Sequence, residues 1–216
     1  MELLKPIPIF SCLDDAELEH LMAVARRKTY AKNTVILSEG DVTDSLYVIV
    51  DGKVKTVITD ENGKEIILSI FGQGDYFGEM ALIDGKPRSA TIVTREPSHL
   101  MIFSRTDLRA IFSSNPDIVF NLLKGLVERL RESNKKIESL AFMDVYGRVA
   151  RFLTHYARPE GDDLVVEEAL THQEIANMVG SSREMVSRIL KELIRGEYLS
   201  VSSKIITIHK KLPYSW

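Results

Sequence analysis

The chain has 216 residues, a formal net charge of −3 and one cysteine, with 44% hydrophobic and 27% charged residues, ordinary values for a globular protein with one large or two modest cores. A lone thiol, Cys12, excludes a disulfide framework within the chain and a cysteine-ligated iron–sulfur cluster, which needs about four thiolates, and it fits a reducing compartment. No apolar run approaches the roughly 18–20 residues of a membrane span, and Lys5, Pro6 and Pro8 interrupt the apolar N-terminus with no small-residue cleavage site after it, so a cytoplasmic protein without membrane contact is expected.

Residues 11–27 carry Leu13, Leu18, Leu21, Met22 and Ala25 at helical spacing, with Asp14 and Asp15 in the first turn, and are expected to form a helix. From residue 28 to 104 the texture becomes short β-rich runs, with strands expected at 35–37, 46–50, 54–59, 65–71, 90–94 and 100–103. Gly40, Asp51-Gly52, Asn62-Gly63, Gly72 and Gly74 punctuate them, and Asp-Gly and Asn-Gly are strong turn signals because these residues tolerate positive φ. Many short strands with regular turns point to a barrel or roll.

Inside that region Gly74-Asp75-Tyr76-Phe77-Gly78-Glu79-Met80-Ala81-Leu82 is followed by Arg88-Ser89-Ala90-Thr91. Gly78 lets the backbone approach a ligand, Glu79 can accept hydrogen bonds from a sugar hydroxyl, and Arg88 offers a planar fork for a phosphate. Ser89 can add a hydroxyl and an N–H to the same oxygens. The set suits a small phosphorylated sugar. It has no nucleophile with a base beside it, so no catalytic residue is expected.

Asn115-Pro116-Asp117 announces a helix by N-cap, first-turn proline and first-turn acid, and the helix is expected to run to about residue 142. Val119, Leu123, Leu126, Leu130, Ser133, Ile137 and Leu140 follow a 4-3-4-3 spacing, the seam of a two-stranded coiled coil, so a homodimer is expected; the alternative is an amphipathic helix packed on its own roll. Ser133, next to Asn134, is the polar break in the seam. Either it fixes register or something polar enters the interface there.

A further helix is expected at 144–156, with Val145, Val149, Phe152 and Leu153 inward, then an exposed loop at 158–163. Thr171 and Glu174 have capping-box spacing and open a short helix that Gly180 ends; Ser181 and Glu184 repeat the spacing and open a second helix through Leu193. Helix, glycine turn, helix is the helix-turn-helix pattern. The start of the second helix exposes Arg183, Glu184, Ser187 and Arg188, suited to guanine O6/N7 and cytosine N4. A hairpin or wing is expected at 198–201 and 205–209, with Lys204 at its tip. Residues 171–216 hold seven Lys/Arg against four acids, a basic end on an otherwise acidic chain, which fits a polyanionic partner or, taken alone, equally a charged surface face.

With these motifs together, the chain resembles the cyclic AMP receptor branch of the CRP/FNR transcription factors. The likeness is densest at residues 63–69, Gly74 to Glu79, Arg88-Ser89-Ala90, residues 140–145 and 147–150, and Ser182-Arg183-Glu184-Met185-Val186-Ser187-Arg188. It implies an α+β fold: a cyclic-nucleotide-binding, jelly-roll-like β-roll over 1–114, a dimerisation helix over 115–143, and a winged helix-turn-helix over 144–216. It further implies that Gly78 and Glu79 hold the ribose, with Met80 alongside, that Arg88 and Ser89 hold the cyclic phosphate, and that Leu68, Phe71 and Arg129 line the pocket. Ser133 and Asn134 would meet the purine, one of them from the opposite subunit. Arg183, Glu184 and Arg188 would contact bases in TGTGA-type half-sites, while Thr171, Gln173, Ser182, Ser187 and Lys204 complete the DNA surface. Met185 stands where the family has a hydroxyl residue, and His172 where its best-known member has arginine.

The implied effector is cAMP, with no metal; the implied partners are double-stranded DNA, a second subunit and RNA polymerase, as in an activator. The alternatives are cyclic di-GMP or cGMP in the same pocket, or ligand-independent DNA binding. An oxygen sensor would need cysteines that the chain lacks, and the five scattered histidines show no haem-ligand pattern.

Overall fold

The computed structural model describes residues 4–167, 170–202 and 205–213. The chain divides into two compact units, Met1–Leu130 and Arg131–Trp216.

The first unit is built on two four-stranded antiparallel sheets. One has the order β1 (Arg26–Tyr30), β8 (Ser98–Phe103), β3 (Leu46–Asp51), β6 (Tyr76–Phe77); the other runs β2 (Val35–Leu37), β7 (Thr91–Thr94), β4 (Val54–Thr59), β5 (Glu65–Phe71). Strand β3 is buried on both faces, and alternate residues serve different cores because successive side chains point to opposite sides. Tyr47 and Ile49 join Tyr30, Leu37, Val54, Phe77, Ile92 and Leu100 in one cluster. Leu46 and Val48 join Met101 and Phe103 with the N-terminal segment (Leu4, Ile7, Phe10, Leu18, Leu21) and the later helices (Leu108, Ile111, Ile118, Leu122) in the other. The β4–β5 turn is tied by the Asp60 carboxylate, which accepts from the N–H groups of Asn62 and Lys64 at 2.9 and 2.8 Å.

Three features of this unit depart from the sequence reading. Helix α1 spans Asp15–Val24, opened by a capping box between Asp14 and Glu17; Arg26 and Arg27, expected in that helix, are strand, because Ala25 turns extended and β1 pairs with β8. Short helix α2 (Glu79–Asp84) lies in the phosphate-sugar motif, and α3 (Arg105–Ser114) has no counterpart among the expected elements. Ser104 caps α3 by accepting from the Asp107 N–H, and Leu108 and Ile111 anchor it to the core.

Helix α4 (Pro116–Phe142) continues for 27 residues, about 40 Å at the usual rise. Ahead of it Asn115 is extended, and its side-chain amide reaches the Glu17 carboxylate at 3.4 Å. Ile118 and Leu122 pack into the roll, with Leu126 half-buried against the same cluster. Leu123, Leu130 and Ile137 of the seam are 50%, 60% and 63% exposed, and Phe120 and Val127 beside them are exposed as well.

In the second unit α5 (Val145–Tyr156) is capped by Asp144, whose carboxylate accepts from the Gly147 N–H at 2.8 Å. Residues 158–163, expected to be a loop, form a hairpin: β9 (Arg158–Glu160) and β10 (Asp163–Val166) pair across a two-residue turn, with Pro159 on an edge strand, where its missing N–H costs nothing. They complete a four-stranded sheet, β11-β12-β10-β9, with the wing strands β11 (Leu199–Ser202) and β12 (Ile205–Ile208). His209 binds it together through Asp163 Oδ2 at 3.0 Å and Ser200 Oγ at 2.9 Å. No helix among the described residues is long and apolar enough to cross a membrane.

Candidate nucleotide and nucleic-acid sites

In the roll, Phe77 of β6 stacks on Tyr47 of β3, ring centroids 5.0 Å apart, and the chain then turns at Gly78 into α2. Gly78 has φ of +87°, and a Cβ there would lie 2.7 Å from both Arg88 Nη1 and Ser45 O. Backbone conformation and space each require glycine here.

Arg88 is only 5% exposed. Its backbone is clamped to the 40–41 segment by hydrogen bonds with Gly40 and Asp41. Its side chain donates through Nε to Thr43 Oγ1 at 2.8 Å, through Nη1 to Gly78 O at 2.8 Å and through Nη2 to Ser45 O at 2.9 Å. All three acceptors are neutral, and among the described residues no carboxylate pairs with it. Burial pulls its pKa below the ordinary guanidinium value, opposed by Tyr47 and by the charges of Asp44, Glu79 and Asp41. A guanidinium has five N–H donors, so two remain, on a fixed and buried cation. Such a cation is expensive unless an anion joins it.

Glu79, 4% exposed, accepts from Arg129 Nη1 at 2.8 Å. Arg129 also donates through Nη2 to Tyr76 O and lies 4.6 Å from the ring centres of Phe71 and Tyr76. One carboxylate oxygen is thereby engaged and the group is aimed, which suits it to accept from ribose hydroxyls. Ser89 is exposed and donates to Met80 Sδ at 3.6 Å. The structure thus gathers Phe71, Gly78, Glu79, Met80, Arg88, Ser89 and Arg129 within the first unit, and Leu68 lies on β5, 39% exposed. Ser133 and Asn134 belong to the second unit and are exposed there.

Sequence reading passed over Thr43, Ser45, Tyr76 and Gly125. Thr43 and Ser45 lie more than forty positions from Arg88, so no local pattern points to them. Gly125 sits mid-helix in α4 where a Cβ would overlap Tyr76 Oη, a buried hydroxyl with no hydrogen-bond partner among the described residues. A glycine inside an otherwise strong helix was the available signal.

In the second unit α6 (His172–Val179) carries the expected capping box between Thr171 and Glu174, and Gly180 ends it in the left-handed conformation. Helix α7 (Arg183–Arg195) is capped by Ser182, whose hydroxyl accepts from the Met185 N–H at 3.2 Å. The second capping box is therefore corrected: the cap falls one residue after Ser181, which makes Met185 the third helical residue, and a thioether cannot return the bond as a carboxylate would. Arg183, Glu184 and Arg188 are exposed and Ser187 is half-buried. Arg188 Nη2 donates to Met185 Sδ at 2.8 Å.

Glu184, Ser187, Arg188, Lys191, Glu192 and Arg195 line one open groove along α7. Lys191 and Arg195 were missed, though their spacing from Glu184 and Arg188 puts them on the same helical face. Thr171 is occupied by its capping box, and Gln173 donates to Asn177 Oδ1 at 2.7 Å. Lys204 lies outside the described residues. Leu140, near the end of α4, lies 3.2 Å from where a side-chain carbon on Gly180 would be, so α4 touches the turn of the helix-turn-helix.

Residues 27–115 match the model of the cyclic nucleotide-binding domain, and residues 147–211 match the Crp-like helix-turn-helix domain. The chain is 35% identical over 201 residues to the cAMP-activated global transcriptional regulator CRP of Pasteurella multocida, covering 90% of this chain and 95% of that protein. It is 32% identical over 211 residues to the CRP-like cAMP-activated global transcriptional regulator of Mycobacterium tuberculosis, covering 96% and 94%. The chain belongs to the CRP/FNR family. Among solved structures, the c-di-GMP responsive global regulator CLP of Xanthomonas campestris is similar with a TM-score of 0.79 and 28% identity, covering 91% of this chain and all of that one. A mutant of CooA from Carboxydothermus hydrogenoformans has a TM-score of 0.80 at 20% identity and covers 96% and 91%, a likeness of fold. As a CRP-family protein the chain is a cyclic-nucleotide-binding, DNA-binding transcription regulator with an α+β architecture: nucleotide-binding sheets, a long helix and a helix-turn-helix domain.

Proposed function

We propose that this protein is a homodimeric regulator that cAMP switches into binding a palindromic site with TGTGA-type half-sites. The observation that carries the ligand reading is Arg88, a buried cation held by three neutral acceptors with two donors to spare, beside an aimed and buried Glu79. A cyclic phosphate would take Arg88 and Ser89, and the ribose would take Gly78 and Glu79. Leu68, Phe71, Met80 and Arg129 would border the base and sugar, and Ser133 and Asn134 would meet the purine. This is a constellation for binding, with no metal and no catalytic role.

The exposed stripe of Phe120, Leu123, Val127, Leu130 and Ile137 supports a second copy as the partner of α4, because its 3-4 spacing is that of a coiled-coil seam. We assign residues 1–114 to the nucleotide-binding domain, 115–143 to the dimer helix and 144–216 to DNA binding. The nucleotide shifts the population toward one register of that helix, and the Leu140–Gly180 contact carries the shift to the recognition helices. Arg183, Glu184 and Arg188 read bases, while Thr171, Gln173, Ser182, Ser187 and Lys204 position the backbone. The regulator works in the cytoplasm as an activator that contacts RNA polymerase.

A second reading, the same output under cyclic di-GMP or cGMP, is favoured by the likeness to a c-di-GMP responsive regulator. Calorimetry with cAMP, cGMP and cyclic di-GMP decides between them. Heat with cAMP at micromolar protein, and a rise in affinity for a TGTGA palindrome in its presence, are expected; heat with cyclic di-GMP alone would overturn the cAMP assignment.

A further inference from the structure

The chain has seven methionines, and the fold treats them unequally. Met101 in β8 and Met178 in α6 are buried, and Met22, Met143 and Met185 are half-buried; among the described methionines Met80 alone is exposed, at 51%. It sits on α2 immediately after Glu79, and its sulfur receives the hydroxyl of Ser89, which follows Arg88. An exposed thioether accepting a hydrogen bond from a ligand-site hydroxyl is an unusual choice, since sulfur is a weak acceptor. It leaves Ser89 easily released to a phosphate oxygen.

We propose that Met80 is a reversible oxidation site that gates nucleotide binding. The inference rests on the nucleotide reading of the roll. The oxidant is hydrogen peroxide. The sulfur lone pair attacks the distal peroxide oxygen, the O–O bond breaks, an S–O bond forms and water leaves; sulfur is oxidised by two electrons and the peroxide reduced by two. The product is a polar sulfoxide, which methionine sulfoxide reductases return to the thioether.

The sulfoxide oxygen is a far stronger acceptor than the thioether. It holds the Ser89 hydroxyl that the phosphate needs, and it brings a partial negative charge to a site whose affinity depends on an unpaired cation. Both effects disfavour the anion. Half-buried Met185 and Met143 also accept hydrogen bonds, from Arg188 and Ser139, and their oxidation would act on DNA binding while leaving nucleotide affinity alone.

The test uses the full chain. Graded hydrogen peroxide is followed by dithiothreitol to restore Cys12, peptide mass mapping locates the added oxygen, and calorimetry with cAMP, cGMP and cyclic di-GMP measures affinity before and after. Met80 should gain oxygen before Met101 and Met178, with nucleotide affinity falling about tenfold, the worth of one hydrogen bond to a charged group. Methionine sulfoxide reductase should restore it. For Met80→Leu the ratio of treated to untreated affinity should stay near one, whatever the untreated value. Full oxidation of Met80 with unchanged affinity overturns the proposal, as does an equal loss in Met80→Leu. If the untreated protein binds none of the three nucleotides, the nucleotide reading itself fails and takes this inference with it.

Discussion

Arg88 in the roll and Arg188 on α7 are the cations we propose meet phosphate and base, and the chain prepares them in opposite ways. Arg88 is buried, its guanidinium held by Thr43, Gly78 and Ser45, so its position is set before a ligand arrives. Arg188 is exposed and rests against the sulfur of its own helix neighbour Met185. A buried, preorganised charge loses little entropy on binding and is screened little by salt; an exposed one is screened and reorders to suit its partner. The first preparation suits a single small anion, the second a polyanion.

Substitutions on each side test that contrast. The largest effect should come from Gly78→Ala, which combines a positive φ with two 2.7 Å approaches; a stability loss of about 3 kcal/mol is expected in denaturant titration. A loss under about 0.5 kcal/mol would show that the cradle relaxes and is not preorganised. Arg88→Leu should weaken cyclic-nucleotide binding by about 3 kcal/mol while leaving a folded dimer. A monomeric or unfolded variant would make Arg88 a structural residue instead.

On the exposed side, Arg183→Ala should cost about 1–3 kcal/mol at one base pair and relax preference there, measured with a panel of substituted half-sites. Lys191→Ala should weaken all sequences alike and reduce the salt slope by about 1, the behaviour of a phosphate contact. The reverse assignment of the two patterns would exchange their roles. The smallest effect concerns α4: Gly125→Ala should cost about 1–2 kcal/mol by driving a methyl into Tyr76 Oη, whereas Tyr76→Phe, which removes an unpartnered buried hydroxyl, should be close to neutral. The double variant should recover most of the loss, and additive losses would mean the contact is elsewhere.

The elements most legible in the sequence were those whose signals are local. Strands β4 and β5, helix α4 and the capped start of α6 follow from alternation, heptad spacing and capping chemistry within a few residues. Strand β1 was missed because its residues are mostly charged and it becomes a strand by pairing with distant β8, whereas the β9–β10 hairpin, though local, was missed because Pro159, Gly161 and the acids around them read as loop. The same division runs through the candidate nucleotide site. Gly78, Glu79, Arg88 and Ser89 could be singled out because their chemistry is read from residue type.

What the amino-acid order alone determined was the set of chemical groups: a glycine, a carboxylate and a guanidinium in the roll, and arginines at the head of α7. Their state came from packing. Long-range packing buried Arg88 among neutral oxygens and paired Glu79 with Arg129 fifty residues away. The reason is physical: residue type carries charge and hydrogen-bonding capacity, whereas solvation and partnership arise only when segments far apart in sequence close on one another.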